Sequence, residues 1–112
     1  NFFINDMEVD PNSLKEDDGM TALHLAAKMG MAQVAEVLLS NGADPNLRAG
    51  DGQTPLHLAC DVGNPYVAVC LIRHNANTTL KNRDQHTAFH LAFQKGHTSI
   101  IRLYMRSFFL DG

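Results

Sequence analysis

The sequence predicts an all-α fold in which helix–turn–helix units, joined by hairpin loops, stack in one layer as a solenoid. The first observation is a repeated phrase, which reads DGMTALHLAA at 18–27, DGQTPLHLAC at 51–60 and DQHTAFHLAF at 84–93. The second is a spacing of 33 residues, which separates Thr21, Thr54 and Thr87; His24, His57 and His90; and Gly30, Gly63 and Gly96. A fixed period of about 33 residues is typical of stacked supersecondary units that share one core.

The first helix of each unit is predicted to begin after the threonine and to end at the glycine. In the middle unit Thr54 can cap a helix whose first residue is Pro55, and these residue types are favoured at those two positions. Gly63 can end the helix because a left-handed backbone costs glycine little. The side of this helix that faces the core is predicted to carry Leu56, Leu58 and Ala59.

A second helix and a hairpin complete each unit. In the first unit the helix is predicted over Ala32 to Ser40, with Gly42 as its stop. Residues 44–46 (DPN) and 51–52 (DG) are turn formers, so they predict the hairpin that links one unit to the next. The apolar positions of this second helix are Val34, Val37 and Leu38.

The repeated unit resembles the ankyrin repeat, whose pattern DGxTPLHLAA…G…V…LL…GADxN is written almost whole in Asp51–Ala59 and Val34–Asn46. The resemblance covers residues 10 to about 106. It implies an ankyrin-repeat solenoid with repeats at 17–49, 50–82 and 83–112, preceded at 1–16 by the tail of an earlier repeat and its hairpin. Since the chain begins at Asn1 rather than Met, we expect it to be part of a longer protein.

The two ends of the chain depart from the pattern. Phe108 and Phe109 replace the Gly and Ala that open the hairpin in the first repeat. We therefore expect either that the last helix runs on and caps the stack, or that another repeat covers these aromatic residues. Weak self-association is predicted through the apolar ends, at Phe2, Phe3, Phe108, Phe109 and Leu110.

Charge and hydropathy narrow the classes of protein. The net charge is −3, which argues against binding to nucleic acid. Residues 1–56 carry nine acids and three bases (−6), whereas residues 57–112 carry three acids and six bases (+3). No apolar run long enough to span a membrane and no signal-peptide pattern are present. We expect an intracellular protein, cytoplasmic or nuclear.

The cysteines and histidines are predicted to serve the scaffold. Cys60 and Cys70 occupy apolar columns of the repeat, which predicts buried free thiols in a reducing compartment. The family resemblance implies that the periodic histidines, at 24, 57 and 90, hold the first helix to the hairpin, and that His97 follows Gly96 as a Gly-His pair. For His74 and His86, no second Cys or His at i+3 or i+4 is expected to complete a zinc half-site. No metal or cofactor is expected.

Catalysis is not predicted. Asp51 and Asp84 are explained as hairpin residues, and no nucleophile or phosphate-loop motif is present. The resemblance implies a non-catalytic protein–protein interaction module, a scaffold or an inhibitor. The alternatives are a docking or regulatory segment of a larger enzyme or channel, and a structural spacer. The stretch LHLACDVGNPYVAVCL also resembles repeats of the inhibitors of nuclear factor kappa B, which implies sequestration of a transcription factor.

The resemblance further implies that a partner protein contacts the hairpin tips and the exposed, concave side of the first helices. Met20, Met29 and Val62 are the predicted apolar anchors, while Gln33, Glu36 and Arg73 are expected on the opposite, convex side. The charge division predicts a partner that is basic toward the first repeat and acidic toward the third. The tip positions are Asp17, Asp18, Met20, Asp51, Gln53, Arg83, Asp84 and His86, and the helix positions are Lys28, Met29, Asp61, Val62, Gln94 and Lys95.

One modification is predicted. Asn46 is preceded by Leu38 and Asp44, a pattern similar to that of ankyrin substrates of an oxygen-sensing asparaginyl hydroxylase. The other reading of Asn46 is an unmodified asparagine that closes a turn.

Overall fold

The computed structural model describes residues 19–111, with side chains described as far as residue 106. No strand is present in this range, and the predicted all-α fold is confirmed. Across the same residues no helix has both the length and the apolarity needed to cross a membrane. The helices are α1 (Ala22–Met29), α2 (Ala32–Ser40), α3 (Pro55–Val62), α4 (Pro65–Arg73), α5 (Ala88–Lys95) and α6 (Thr98–Asp111).

The helices pack as three pairs in two rows. In the row of first helices, α3 lies between α1 and α5, and in the row of second helices, α4 lies between α2 and α6. The first helices approach closely because the residues between them are small: Ala26, Ala27, Ala59 and Ala92 are at most 2% exposed. Larger apolar side chains fill the space between the two rows, among them Leu23, Leu56, Val67, Leu71 and Ile100.

The ends of the first helices form as the sequence predicts. The Thr54 hydroxyl accepts a hydrogen bond from the backbone N–H of His57 at 3.3 Å, and Pro55 is the first helical residue. Gly63 ends α3 with φ +80°, where a side chain would be strained. A Cβ at Gly63 would also lie 2.5 Å from Nδ1 of His97 in the next unit. Both the backbone conformation and the close approach of His97 therefore require glycine at this position.

The second helix of the first unit has the predicted bounds but a less buried apolar face. Leu38 is buried, whereas Val34 and Val37 are exposed. Val67 and Ile100, one and two periods after Val34, are fully buried between successive second helices. Within the described part of the chain, α2 is the first helix of that row, which explains the difference. The helix is capped by Asn41 rather than by Gly42.

The hairpins are held by backbone bonds without forming strands. In the first, Ala49 N–H donates to the Gln53 carbonyl at 2.8 Å, and in the second, Asn82 N–H donates to the His86 carbonyl at 2.9 Å. After the third unit no such turn forms before residue 111, since α6 continues to Asp111. The continuous helix agrees with the first of the two expectations for this end, and coverage of the aromatic residues by a further repeat stays a prediction. The residues predicted to mediate weak self-association, at 2–3 and 108–110, lie outside the described side chains.

The first helices of the first two units, α1 and α3, are each joined to the following hairpin by a histidine ring. Nδ1 of His57 accepts the backbone N–H of Thr54 at 3.2 Å, so Nε2 must carry the proton, and it donates to the His86 carbonyl at 2.8 Å. His24 makes the same pair of contacts, with Thr21 and with the Gln53 carbonyl. The implied role of these two histidines is confirmed.

His90 does not play this role. Its residue is exposed, and in place of a hairpin beyond it the chain continues as α6. The family pattern implied the same bridge in all three units, and the third departs from it because the acceptor carbonyl of a following hairpin is not supplied by the described residues.

Replacement of Leu56 tests the core. Leu56 is 1% exposed, so Leu56→Ala should lower the free energy of unfolding by about 2–5 kcal/mol through lost burial and the cavity left behind. Val62→Ala, which truncates a side chain 44% exposed, should change it by at most about 0.5 kcal/mol. Urea unfolding followed by circular dichroism measures both values. Equal stability of Leu56→Ala and the wild type would contradict the core assignment.

His57 and His90 are equivalent positions of the repeat, but only His57 forms the bridge. Alanine substitution should therefore lower the free energy of unfolding by different amounts at the two positions. His57→Ala leaves the Thr54 N–H without its acceptor and removes one of the two donors to the His86 carbonyl, which keeps the Asn82 N–H. The loss of these contacts and of a buried side chain should lower the free energy of unfolding by about 2–4 kcal/mol. His90→Ala should cost no more than about 0.5 kcal/mol. Urea titrations of the two variants provide the comparison.

The bridge also predicts acid sensitivity. Burial lowers the pKa of His57 below its ordinary value of 6.5, so the unfolded chain takes up a proton first. The stability contributed by neutral His57 should be full above about pH 6.5 and be lost as the pH falls below it. His57→Ala should flatten this part of the stability–pH curve, and an unchanged slope would be the contrary result.

Candidate protein-binding surface

The predicted surface residues fall at the two ends of the first helices. Asp17 and Asp18 lie outside the described residues. Met20, Asp51, Gln53, Arg83, Asp84 and His86 lie at or beside the hairpins, whereas Lys28, Met29, Asp61, Val62, Gln94 and Lys95 lie in the last turn of α1, α3 and α5. An eight-residue helix is about 12 Å long. The structure therefore places these residues at two ends of one face, rather than in a single cluster.

A groove with both polar and apolar lining lies at the end where the two helices of each unit turn. Three large exposed side chains line it: Met29 (66% exposed), Val62 (44%) and Tyr66 (72%). The groove has a volume of about 320 Å³, and Lys28 stands at its side. We call Met29, Val62 and Tyr66 the turn groove. Two of the three predicted anchors are thus exposed and close together.

Tyr66 was missed by the sequence prediction. It is the second residue of α4, where its equivalents one period away are Gln33 and Ser99. A tyrosine in a column that is otherwise polar was the signal available. Met20, the remaining predicted anchor, is half-buried and packs against the hydrophobic core, so it offers less free surface than expected.

Lys95 and Asp61 do not act as independent charges. Lys95 Nζ lies 3.0 Å from Asp61 Oδ1, which joins α5 to α3 across neighbouring units. The side chains are 52% and 36% exposed, and exposed pairs of this kind contribute at most about 1 kcal/mol. Their charges nevertheless cancel. The charge of Lys95 is therefore offset locally by Asp61, whereas none of the salt bridges among residues 19–106 involves Lys28 of α1.

Two of the tip residues are engaged in holding their own hairpin. Asp51 Oδ1 accepts the Gln53 N–H at 3.1 Å, and Oδ2 accepts the Gln53 side-chain amide at 3.3 Å. Gln53 Oε1 in turn accepts the Asn82 amide at 3.5 Å. Arg83 and Asp84 are exposed, so the third hairpin tip offers more free charge than the second.

His86 has a neighbour that the sequence prediction overlooked. His90 follows it by four residues, and the two ring centroids lie 4.8 Å apart. A pair of histidines at this spacing could hold a metal only with further ligands. No group of three or more metal-ligating side chains suited to an ion occurs among residues 19–106.

On the convex side, Glu36 is not the free exposed residue that was expected. Glu36 Oε2 lies 3.2 Å from His74 Nε2 on α4, and the Glu36 side chain is 40% exposed. The hydrogen bond with His74 lowers the pKa of the Glu36 carboxyl. Gln33, which is exposed on the same helix, is the better reference residue for that side.

The thiols of Cys60 and Cys70 differ in burial, although both were predicted to be buried. Cys60 is fully buried, and burial raises its pKa to about 12. Cys70 is only half-buried, and its Sγ lies 3.9 Å from the Ala32 carbonyl. Burial, followed by the charge of Glu36, raises the pKa of Cys70 as well. Neither thiol has the depressed pKa of a reactive cysteine.

Asn46 joins neighbouring hairpins. Its side-chain oxygen accepts the Asn77 N–H at 2.7 Å, and its own N–H donates to Asp44 Oδ1 at 2.8 Å. These contacts support a structural role for the side-chain amide. Hydroxylation of Asn46 stays a prediction.

Comparison with known families agrees with this architecture. A family model described as ankyrin repeats (3 copies) matches residues 41–107, and one described as ankyrin repeats (many copies) matches residues 8–59. The chain belongs to the ankyrin-repeat family. Proteins of this family are generally protein–protein interaction modules and are typically non-catalytic. A comparison with curated proteins found no match.

Thiol labelling tests the burial of the two cysteines. In the Cys70→Ser variant, native Cys60 should not react with Ellman's reagent at neutral pH, because the reactive thiolate is suppressed by a pKa of about 12. In the Cys60→Ser variant, Cys70 should react slowly but measurably. Both should react rapidly in guanidinium chloride. Labelling of native Cys60 at the unfolded rate would show that the core opens at this point.

Proposed function

We propose that this protein binds a partner protein without catalysis, through the concave face of its first helices and its hairpin tips, with the turn groove as the anchoring site. The observation that carries the proposal is the convergence of Met29, Val62 and Tyr66, three exposed apolar side chains, around one groove. Exposed apolar clusters of this kind mark interaction sites more often than isolated apolar residues do.

The chemistry of the turn groove suits an apolar side chain of the partner. Methionine adapts its shape to different partners, and tyrosine is enriched among residues that dominate binding energy. Burial of a large apolar side chain contributes about 1.5–3 kcal/mol. Lys28 beside the groove favours an acidic residue on the partner next to its apolar anchor.

The scaffold supports binding by holding the groove in place. Met29 precedes the helix-ending Gly30, and the Asn64 side-chain amide donates to the Gly30 carbonyl at 3.3 Å, which ties the two turns together. Asn64 also caps α4, the helix that carries Tyr66. A groove whose walls are already fixed loses little conformational freedom on binding.

We place this binding in a reducing compartment, the cytoplasm or the nucleus. The support is that both cysteines are free, and that neither is positioned to react. The scaffold or inhibitor role predicted from the sequence is part of the same proposal, as is the participation of the remaining predicted residues, including Asp17, Asp18 and Gln94.

The turn groove can be tested by comparative affinity capture from cells. Wild-type protein, the double variant Met29→Ala/Tyr66→Ala and the control Gln33→Ala should be immobilised in parallel. Gln33 is exposed and occupies the Tyr66 position of the first unit, so it is a matched control. Proteins that use the groove should be retained by the wild type and the control but not by the double variant.

A captured partner then permits a quantitative measurement. The double variant should weaken its binding about tenfold or more, mainly by faster dissociation, since apolar anchors act on the bound state. Circular dichroism checks that all three proteins are folded. Equal capture and equal affinity for all three folded proteins would contradict the proposed anchoring site.

A further inference from the structure

A second groove, unlike the turn groove, lies between neighbouring hairpins and is basic. Arg48, Lys81 and Arg83 line it, and its floor is formed by Asn82 and by the small residues Ala49, Gly50 and Gly52. Its volume is about 300 Å³. We call it the hairpin groove. Among the described residues that line it, none is acidic.

The three cations of the hairpin groove are available for a ligand. All three residues are exposed. The ion pairs of the described residues join Glu36 to His74 and Lys95 to Asp61, so they involve none of these cations. The acids of the two hairpins do not pair with these cations: neither Asp51 nor Asp84 lines the groove, and the Asp51 carboxylate accepts its hydrogen bonds from Gln53.

The close approach of the hairpins concentrates this charge. Gly52 has φ +83°, and a Cβ there would lie 3.0 Å from the Arg83 backbone nitrogen. Arg48 and Lys81 are separated by one period of 33 residues and therefore occupy the same place in successive hairpins. Like charges held close together without counter-charges raise the local positive potential. The periodic spacing was the sequence signal for this pair, and the sequence prediction did not use it.

Lys81 also lines an adjoining aromatic groove at the end of the stack. This groove, which we call the end groove, has a volume of about 600 Å³ and contains Phe89, Phe93 and Tyr104. Phe93 is 49% exposed and meets Tyr104 edge-on, with ring centroids 5.8 Å apart. The end-groove lining drawn from residues 19–106 contains no acidic residue either. Through Lys81 the two grooves form one continuous surface that is basic at one side and aromatic at the other.

The exposure of Phe93 is a property of its unit. Its equivalents Ala27 and Cys60 are fully buried by the unit that follows each of them. The largest side chain of this column is thus presented at the place where the described stack ends. A ligand that covers it would bury substantial apolar area.

We propose that the hairpin groove and the end groove together bind an acidic segment of a partner protein that carries one large apolar side chain. Charge complementarity selects the acidic residues, which contact Arg48, Lys81 and Arg83, and the apolar side chain enters the end groove beside Phe93. The proposal rests on the proposed function in one respect, that the protein binds other proteins, but it concerns a separate surface and names the chemistry of the ligand.

A protein segment fits this surface better than a nucleic acid does. Nucleic-acid binding at ordinary salt commonly uses about 6–10 phosphate contacts, whereas the hairpin groove offers three cations in a chain whose net charge is −3. The end groove adds apolar area that suits a phenylalanine or leucine side chain.

The test uses fluorescence anisotropy with a labelled synthetic peptide in which glutamates alternate with serines and flank a single phenylalanine. Saturable binding that weakens as the salt concentration rises is expected. Lys81→Gln and Arg83→Gln should each weaken it about two- to fivefold, and Phe93→Ser about fivefold or more. Peptides with glutamine for glutamate, or alanine for phenylalanine, should bind more weakly to the wild type.

Matched controls separate this site from general charge effects. Arg102→Gln removes an exposed cation of α6 that lines neither groove, so it should bind the peptide like the wild type. Met29→Ala/Tyr66→Ala should also bind it unchanged, because the turn groove is elsewhere. Peptide binding with these properties supports the inference even where the capture experiment on the turn groove fails, so the two proposals can fail separately.

Four results would overturn the inference. The first is a lack of saturable peptide binding, and the second is a loss of peptide affinity in Arg102→Gln equal to that in the groove variants. The third is a single-stranded DNA that binds more tightly than the peptide and whose binding the same variants weaken. The fourth is sedimentation showing, without any peptide, a second copy of the protein that covers Phe93.

Discussion

The stack depends on two neutral imidazole rings, each of which joins a first helix to the hairpin after it. In His57 the ring accepts a hydrogen bond from Thr54 at the start of α3 and donates one to the His86 carbonyl of the next hairpin, and His24 does the same one unit earlier. One buried side chain thus satisfies the helix cap and fixes the distance between units. Only the neutral tautomer can make both bonds, so protonation opposes folding, and burial of the ring lowers the pKa of His57 in the same direction.

With the spacing of the units fixed, the residues that vary between units decide the surface. Ala27, Cys60 and Phe93 occupy equivalent positions of the three units. The first two are buried in the core, whereas Phe93 is exposed at the end of the described stack. The column that holds Gln33 in the first unit presents Tyr66 in the second. The same backbone position therefore serves packing in one unit and exposes an aromatic ring in another. Binding surfaces arise in this fold without any change of the scaffold.

Charge is arranged by contacts between units more than by the division along the chain. Asp61 is neutralised by Lys95 of the next unit, and Glu36 is paired with His74. Three of the cations that have no such partner among the described residues, Arg48, Lys81 and Arg83, lie between the hairpins, where glycines let the backbones approach. A count of charges along the sequence correctly indicated a more basic second half, but it could not identify which charges are free to meet a ligand.

For the described residues, the sequence by itself determined the three helix pairs, the caps of the first helices and the hairpins between units. These features depend on contacts within a few residues: Thr54 with His57, Gly63 at the end of α3, and Ala49 with Gln53. The period then implied their stacking, and with it the burial of Leu56. Only the tertiary structure decided that Tyr66 stands beside Met29 and Val62, and that Lys81 joins two grooves. These arrangements bring together residues from different units. They depend on how closely the backbones approach and on which side chains are large, and a pattern repeated every 33 residues specifies neither.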